Sequence, residues 1–232
     1  MSVLALVPAK GGSVRFRRKN IQRLGGRTLL DWAAQAARDS GVVDHLVCST
    51  EDAEVADHAR AAGMDVPFVR PEALAREPYG CSDVGVHAVR ALRELGYVFD
   101  TLIFLLPTCP LRSGDDVAGA YRVFLERGRE NVMSVAAFEQ TPWGAQRILE
   151  DGRVEAAFPE QYSQRSQDRP ALVRPNGAVH VVDVERFLLS GSYTAQPLFP
   201  YAMPAERSVD IDHAVDLIVA EALLQQRGAG AP

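Results

Sequence analysis

The chain has 232 residues, 47% of them hydrophobic and 24% charged, enough to bury a sizeable core at the upper edge of what one domain holds. A formal net charge of −5 argues against a nucleic-acid binder, which would need clustered Lys and Arg to neutralise phosphates. No apolar run approaches the roughly 18 residues of a membrane span, and Cys48, Cys81 and Cys109 lack the spacing of a zinc site or redox pair, so they read as small buried thiols of a cytoplasmic protein.

Taken in order, short apolar runs alternate with amphipathic stretches. This is the pattern of an α/β chain with a Rossmann-like, doubly wound, mostly parallel sheet. Residues 3–7 read as a buried first strand that enters a proline and glycine turn with no cleavage site, not as a leader. Residues 28–38 carry Leu29, Leu30, Ala33, Ala36 and Ala37 at helical spacing, and 45–49 form the second strand. A helix over 51–62 closes at Gly63, residues 65–69 offer a third strand, and a helix over 83–95 ends at Gly96. Residues 101–106 are an intensely apolar strand bounded by Pro107, and 115–127 form another helix.

From Asn131 the character changes. Residues 132–137 and 178–182 read as strands, and the interval between them is polar, Arg-rich and punctuated by proline. Residues 142–175 are therefore read as an excursion with its own hairpin and a partner-contact role, on a single domain spanning 1–232. A closing amphipathic helix over 212–226 is followed by a frayed tail, 228–232.

The first loop, VPAKGGSVRFRRKN at 7–20, joins a buried strand to a helix and combines Gly11, Gly12 and Ser13 with Lys10, Arg15, Arg17, Arg18 and Lys19. Glycines let backbone N–H groups crowd an anion, and the cations neutralise phosphate charge. The bland alternative is a solvated basic turn. Neither G-x-G-x-x-G nor the P-loop pattern is present, which disfavours a dinucleotide-dependent oxidoreductase. Near the other terminus, Asp210 and Asp212 stand at i and i+2, so an extended segment presents both carboxylates to one cation while Ile211 faces the core. Their alternative is helix capping by Asp212 with Asp210 merely exposed.

His45, His58 and His87 have no partner at metal or nucleophile spacing and read as packing or surface residues. No hydrolase serine elbow occurs. The basic stretch with Arg165, Arg169 and Arg174 is either a solvated face or a source of cations for an acidic ligand.

The loop residues Pro8, Ala9, Lys10, Gly12, Ser13, Lys19 and Asn20 resemble the N-terminal signature of the acylneuraminate cytidylyltransferase family, the CMP-sialic acid synthetases. RPEALA at 70–75 with Ser82, LLPTCPLR at 105–112, RPNGAVHV at 174–181 and SVDIDHAVDL at 208–217 are similar to that family's later motifs, in the same order. The resemblance implies a CMP-sugar synthetase that takes CTP and an acidic 2-ulosonic (nonulosonate-type) sugar and works as a homodimer, with residues 142–175 as a dimerisation or lid element. Nucleic acid and membrane have no place in it. Ala9, Lys10, Gly11, Gly12, Ser13, Lys19, Asn20, Arg70 and Ser82 would bind the nucleotide, the last two reading cytosine. Lys10, Lys19, Asp210 and Asp212 would be catalytic, the Asp pair holding Mg²⁺ or Mn²⁺. Leu106, Arg174, Asn176 and His180 would meet the sugar.

The chain also departs from the family. Lys10 stands for a loop arginine, Val14 for a lysine, Arg15 and Arg17 for glycine and proline, Leu106 for a glutamine and His180 for a tyrosine, while Tyr193 and Thr194 replace an aromatic pair. These changes leave open a nucleotidyltransferase acting on an octulosonate, sugar phosphate or phosphonate, and a non-catalytic nucleotide-binding protein.

Overall fold

Alternate side chains of the first strand part to opposite faces, as a strand's two-residue period requires. In the computed structural model, which describes residues 2–13 and 16–229, Val3, Ala5 and Val7 join one core while Leu4 and Leu6 join another. The sheet is thus buried on both faces, the property that makes parallel strands read as unbroken apolar runs.

The chain begins with β1 (Val3–Pro8), a short hairpin of β2 (Arg23–Leu24) and β3 (Arg27–Thr28), and α1 (Leu29–Asp39). Then come β4 (His45–Ser49), α2 (Ala53–Ala61), α3 (Cys81–Glu94), β5 (Thr101–Phe104), α4 (Gly114–Glu126) and β6 (Asn131–Ala137). A hairpin of β7 (Gln146–Ile148) and β8 (Val154–Ala156) and the single turn α5 (Pro159–Tyr162) leave the main body. The chain returns through β9 (Val173–Asp183), α6 (Val184–Ser190), β10 (Leu198–Ala202) and α7 (Ala214–Ala229). The main sheet has the order β10-β6-β9-β5-β1-β4, and only β9 runs antiparallel to its neighbours. Helices α1, α2 and α4 pack on one face, α3 and α6 on the other. A third small core gathers Leu24, Leu29, Leu111, Ile211 and Ala220 beneath α7.

The doubly wound, mostly parallel architecture matches the expectation, and four local readings change. Residues 65–69 form no strand: Asp65 makes one bridge to Val47, and Pro67, with no N–H to donate, stops the ladder there. Residues 173–175 belong to β9, so the excursion ends at 172. Gly228 and Ala229 continue α7 where a tail was expected, and 230–232 lie outside the described residues. Cys81 is only half-buried, at the start of α3, whereas Cys48 and Cys109 are buried. Among the elements that went unread are the β2–β3 hairpin, α5, α6 with its Asp183 cap and left-handed Gly191 stop, and the edge strand β10, where Pro200 is tolerated. Among the described residues no helix is long and apolar enough to cross a membrane.

Helix α4 starts against the end of α1 with no room to spare. A Cβ on Gly114 would lie 2.5 Å from the Asp39 carbonyl carbon and 2.7 Å from the Ser40 nitrogen, both backbone atoms. Gly114→Ala should therefore lose about 1–3 kcal/mol in urea unfolding, an overpacking cost larger than the gain from replacing a helical glycine.

Candidate active site

The sheet delivers its connections to one end. β1, β4 and β5 all point their carboxyl ends toward it, and β9, running the other way, brings residues 174–177 to the same place. Open α/β sheets bind ligands in this crevice.

On one flank, Glu51 organises the glycine loop. Its Oε1 accepts the Gly11 N–H at 2.8 Å and its Oε2 takes Nε of Arg70 at 3.1 Å and also Nη2. Arg70 is 3% exposed, and Glu51 takes two of its three guanidinium nitrogens, Nε and Nη2. Burial by itself would raise the Glu51 pKa. The Arg70 hydrogen bond, with help from Gly11, outweighs it and holds the carboxyl below its ordinary value. Gly11 is required here, since a Cβ would fall 2.2 Å from Oδ2 of Asp52. Asn20 is buried and donates through Nδ2 to the Lys10 carbonyl at 2.8 Å, folding the loop back on itself. Of the loop cations, Arg18 pairs with Asp52 at 3.3 Å and with Glu54, while Lys10 and Arg17 are exposed. Gly12 is exposed and Ser13 half-buried; Val14 and Arg15 lie outside the described residues.

The opposite flank carries the carboxylates. Ile211 is fully buried, Asp210 is exposed and Asp212 is half-buried, so the pair faces outward on either side of a core anchor. Nζ of Lys19 sits 2.7 Å from Oδ1 of Asp212, joining two groups 193 residues apart in the chain. Helix capping falls to Asp216, which accepts the N–H groups of Asp212 and His213 at 2.9 and 2.7 Å. Although Asp210 is open to solvent, protein crowding its carboxyl and the nearby Asp212 raise its pKa against the Thr108 hydroxyl and Lys19. The donors fit a hard cation such as Mg²⁺ or Mn²⁺: two carboxylates suffice when substrate phosphates supply further oxygens. Among the described residues no group of three or more His, Cys, Asp or Glu forms a complete cage.

Asn176 corrects the reading of the sugar side. Its side chain is 1% exposed and its four hydrogen-bonding positions are all taken: Nδ2 donates to Ser208 Oγ (2.8 Å) and Met203 Sδ (3.3 Å), and Oδ1 accepts from Ser134 Oγ (2.6 Å) and the Ala178 N–H (3.2 Å). It has nothing left for a sugar and serves as a structural hub. Arg174 donates to the Ser208 carbonyl at 3.3 Å. Leu106 is half-buried and lies beside Gly177. His180 is 4% exposed, set edge-on to Tyr193 at 4.5 Å, and burial pushes its pKa down to about 4, so the ring is neutral. The Tyr193 N–H reaches Ser82 Oγ at 3.3 Å, so one residue links Ser82 to His180.

Sequence reading missed Glu51, Ser134, Thr108 and Arg112. One signal was available: a buried Arg70 demands an anion, and Glu51 closes the strand next to the loop.

A family profile described as cytidylyltransferase matches residues 4–77. The chain is 28% identical to a pseudaminic acid cytidylyltransferase of Campylobacter jejuni over 96% of each chain. It is 26% identical to a CMP-N,N'-diacetyllegionaminic acid synthase of Legionella pneumophila over 97% of each. A solved CMP:2-keto-3-deoxy-manno-octonic acid synthetase complexed with CTP shares the fold, with TM-score 0.73, 15% identity and coverage of 98% of this chain and 100% of that one.

Removing Glu51 strands a buried guanidinium, so Glu51→Leu should cost about 3–5 kcal/mol, and Glu51→Gln, which keeps an acceptor, less. Because the folded-state pKa of Glu51 is depressed, its contribution is full above the unfolded carboxylate value and fades as pH falls through the folded one. Urea titrations from neutral pH downward should show a wild-type loss in that acid window that is smaller in Glu51→Gln. Parallel curves for the two proteins would remove Glu51 from the account.

Proposed function

We propose, on the premise that this chain belongs to the cytidylyltransferase family, that it couples CTP to the anomeric hydroxyl of an acidic nonulosonate-type sugar, giving a CMP-sugar and pyrophosphate. The observation that carries this reading is the 2.7 Å contact of Lys19 with Asp212, which sets the glycine loop against a pair of carboxylates. An anion-binding loop facing a cation-binding pair is the arrangement that a metal–triphosphate needs, and transfer of a nucleotidyl group asks for little beyond positioning and charge neutralisation.

In this reading Lys10, Ser13 and Lys19 grip the triphosphate, with Ala9, Gly11, Gly12 and Asn20 shaping the loop. Nη1 of Arg70 and the Ser82 hydroxyl read the cytosine edge. Asp210 and Asp212 hold Mg²⁺ or Mn²⁺, which supplies charge neutralisation at the phosphates when bound. Leu106, His180 and Arg174 border the sugar. The names of the full-length relatives support a nonulosonate as acceptor. What supports a homodimer is the excursion, where Ile148 and Val154 on the hairpin and Tyr162 on α5 are 80%, 64% and 52% exposed on elements too small to bury them.

A pyrophosphate-release screen of CTP and UTP against several 2-ulosonic acids tests the reading. CTP should be strongly preferred, since a site built to bond one base edge is left unpaired by the other. Asp210→Ala and Asp212→Ala should each lower kcat by about 10²–10³-fold with little change in unfolding midpoint. No pyrophosphate with any pair, or turnover indifferent to both carboxylates, overturns it.

The acceptor pocket yields a sharper expectation. Leu106 offers no polar group where the resembling family has an amide, so a buried substrate hydroxyl against it would lose about 1–3 kcal/mol. N-acetylneuraminate should therefore be a poorer substrate than a differently substituted ulosonic acid, and Leu106→Gln should raise its kcat/KM at saturating CTP. If the unmodified protein turns over N-acetylneuraminate fastest, Leu106 and His180 do not set selectivity.

A further inference from the structure

Behind the carboxylates lies a cation with no assigned task. Arg112 is 4% exposed, and a single nitrogen, Nη1, donates to three carbonyls: Leu106 at 2.6 Å, Cys109 at 3.1 Å and Ala178 at 3.2 Å. Two of these belong to the turn after β5 and the third to β9. Nε and Nη2 are buried and find no partner among the described residues. For stability alone such a group is a poor choice, because well-packed apolar side chains commonly replace buried charges at no loss. Unsatisfied buried donors call for a reason.

The turn that Arg112 clasps is the one that backs the carboxylates. The Thr108 carbonyl accepts the Ile211 N–H at 2.8 Å, Cys109 Sγ donates to the Asn176 carbonyl at 2.9 Å, and the same sulfur lies 3.8 Å from Oδ1 of Asp210. Residues 108 and 109 therefore touch Asp210 and its neighbour directly, and Arg112 ties both ends of that turn to the sheet. Resting on the function proposed above, we propose that Arg112 is a positioning residue: it holds the 106–109 turn against β9 so that the turn presents Asp210 to the cation shared with the nucleotide. It touches neither substrate nor metal, and its effect should appear in metal binding rather than in nucleotide binding.

The test compares wild type, Arg112→Met and Arg112→Lys. Mn²⁺ affinity is read by electron paramagnetic resonance with a non-hydrolysable CTP analogue bound, and kcat and KM for CTP by pyrophosphate release. Arg112→Met should weaken Mn²⁺ binding by about 10–100-fold and lower kcat by a similar factor, the usual range for residues that orient metal ligands, with CTP KM within about 3-fold. Arg112→Lys keeps three N–H donors for the three carbonyls on a shorter stem and should recover part of both losses. Wild-type Mn²⁺ affinity in folded Arg112→Met overturns the proposal, as does a loss of CTP affinity in step with kcat. Should Arg112→Met not fold, Arg112→Lys decides: several-fold weaker Mn²⁺ binding supports the role, and wild-type values refute it. A wild type that binds no Mn²⁺ or releases no pyrophosphate fails at the earlier reading instead, and this inference falls with it.

Discussion

The amide of Asn176 is where three separate parts of the chain are fastened. The register of β6 against β9 shifts between Met133 and Val135, which interrupts the ladder inside the core. Interrupted ladders leave backbone donors that cannot reach water and must be paired some other way. Here the Val179 N–H goes to Ser134 Oγ at 2.8 Å and the Ala178 N–H to Asn176 Oδ1 at 3.2 Å, while the other end of the amide holds Ser208. Ser208 begins the segment that ends in Asp210 and Asp212. The position of the carboxylates is thus a consequence of how a buried bulge satisfies its hydrogen bonds. Buried polar networks of this kind are stable only when every member is paired, which makes them specific as well as sensitive.

Two ion pairs, each with a buried member, steady the flanks on either side. Glu51 holds Arg70 and Gly11 together, and the segment before α7 is braced by Arg207, whose two hydrogen bonds to the buried Asp116 are 2.8 and 2.9 Å long. Burial alone would raise both acids; hydrogen bonds from the arginines instead hold the Glu51 and Asp116 carboxyls below their ordinary values. The Glu51–Arg70 and Asp116–Arg207 pairs each balance their own charge, and between them lie the exposed Lys10 and Asp210 and the half-buried Lys19 and Asp212, which pair with each other. In the proposed function these are the groups that would meet a ligand carrying both signs of charge.

That division suits phosphate chemistry. Groups that neutralise charge in a reaction work best when already oriented, because no reorganisation is needed as the charge moves. The 2.7 Å Lys19–Asp212 contact joins the two flanks, and in the function proposed above a metal-bound triphosphate would offer each of the two groups a stronger partner.

The sequence by itself determined the class of fold and the helices over the first half, and it singled out the loop and the carboxylate pair that the fold brings together. Those features are written in local periodicity and short spacing: apolar runs for buried strands, glycines beside cations, and two acids flanking an isoleucine. The tertiary structure alone decided the rest. Asn176 looked like a ligand-side residue and is a hub, because nothing local in RPNG says which partners surround its amide. Residues 65–69 read as a strand, but Pro67 halts the pairing after one bridge. Glu51, Ser134 and Arg112 gain their meaning from partners 19, 42 and 66 residues away. Pairings over such separations are set by which strands lie side by side, and β9 lies between β5 and β6 in a direction that no local pattern encodes.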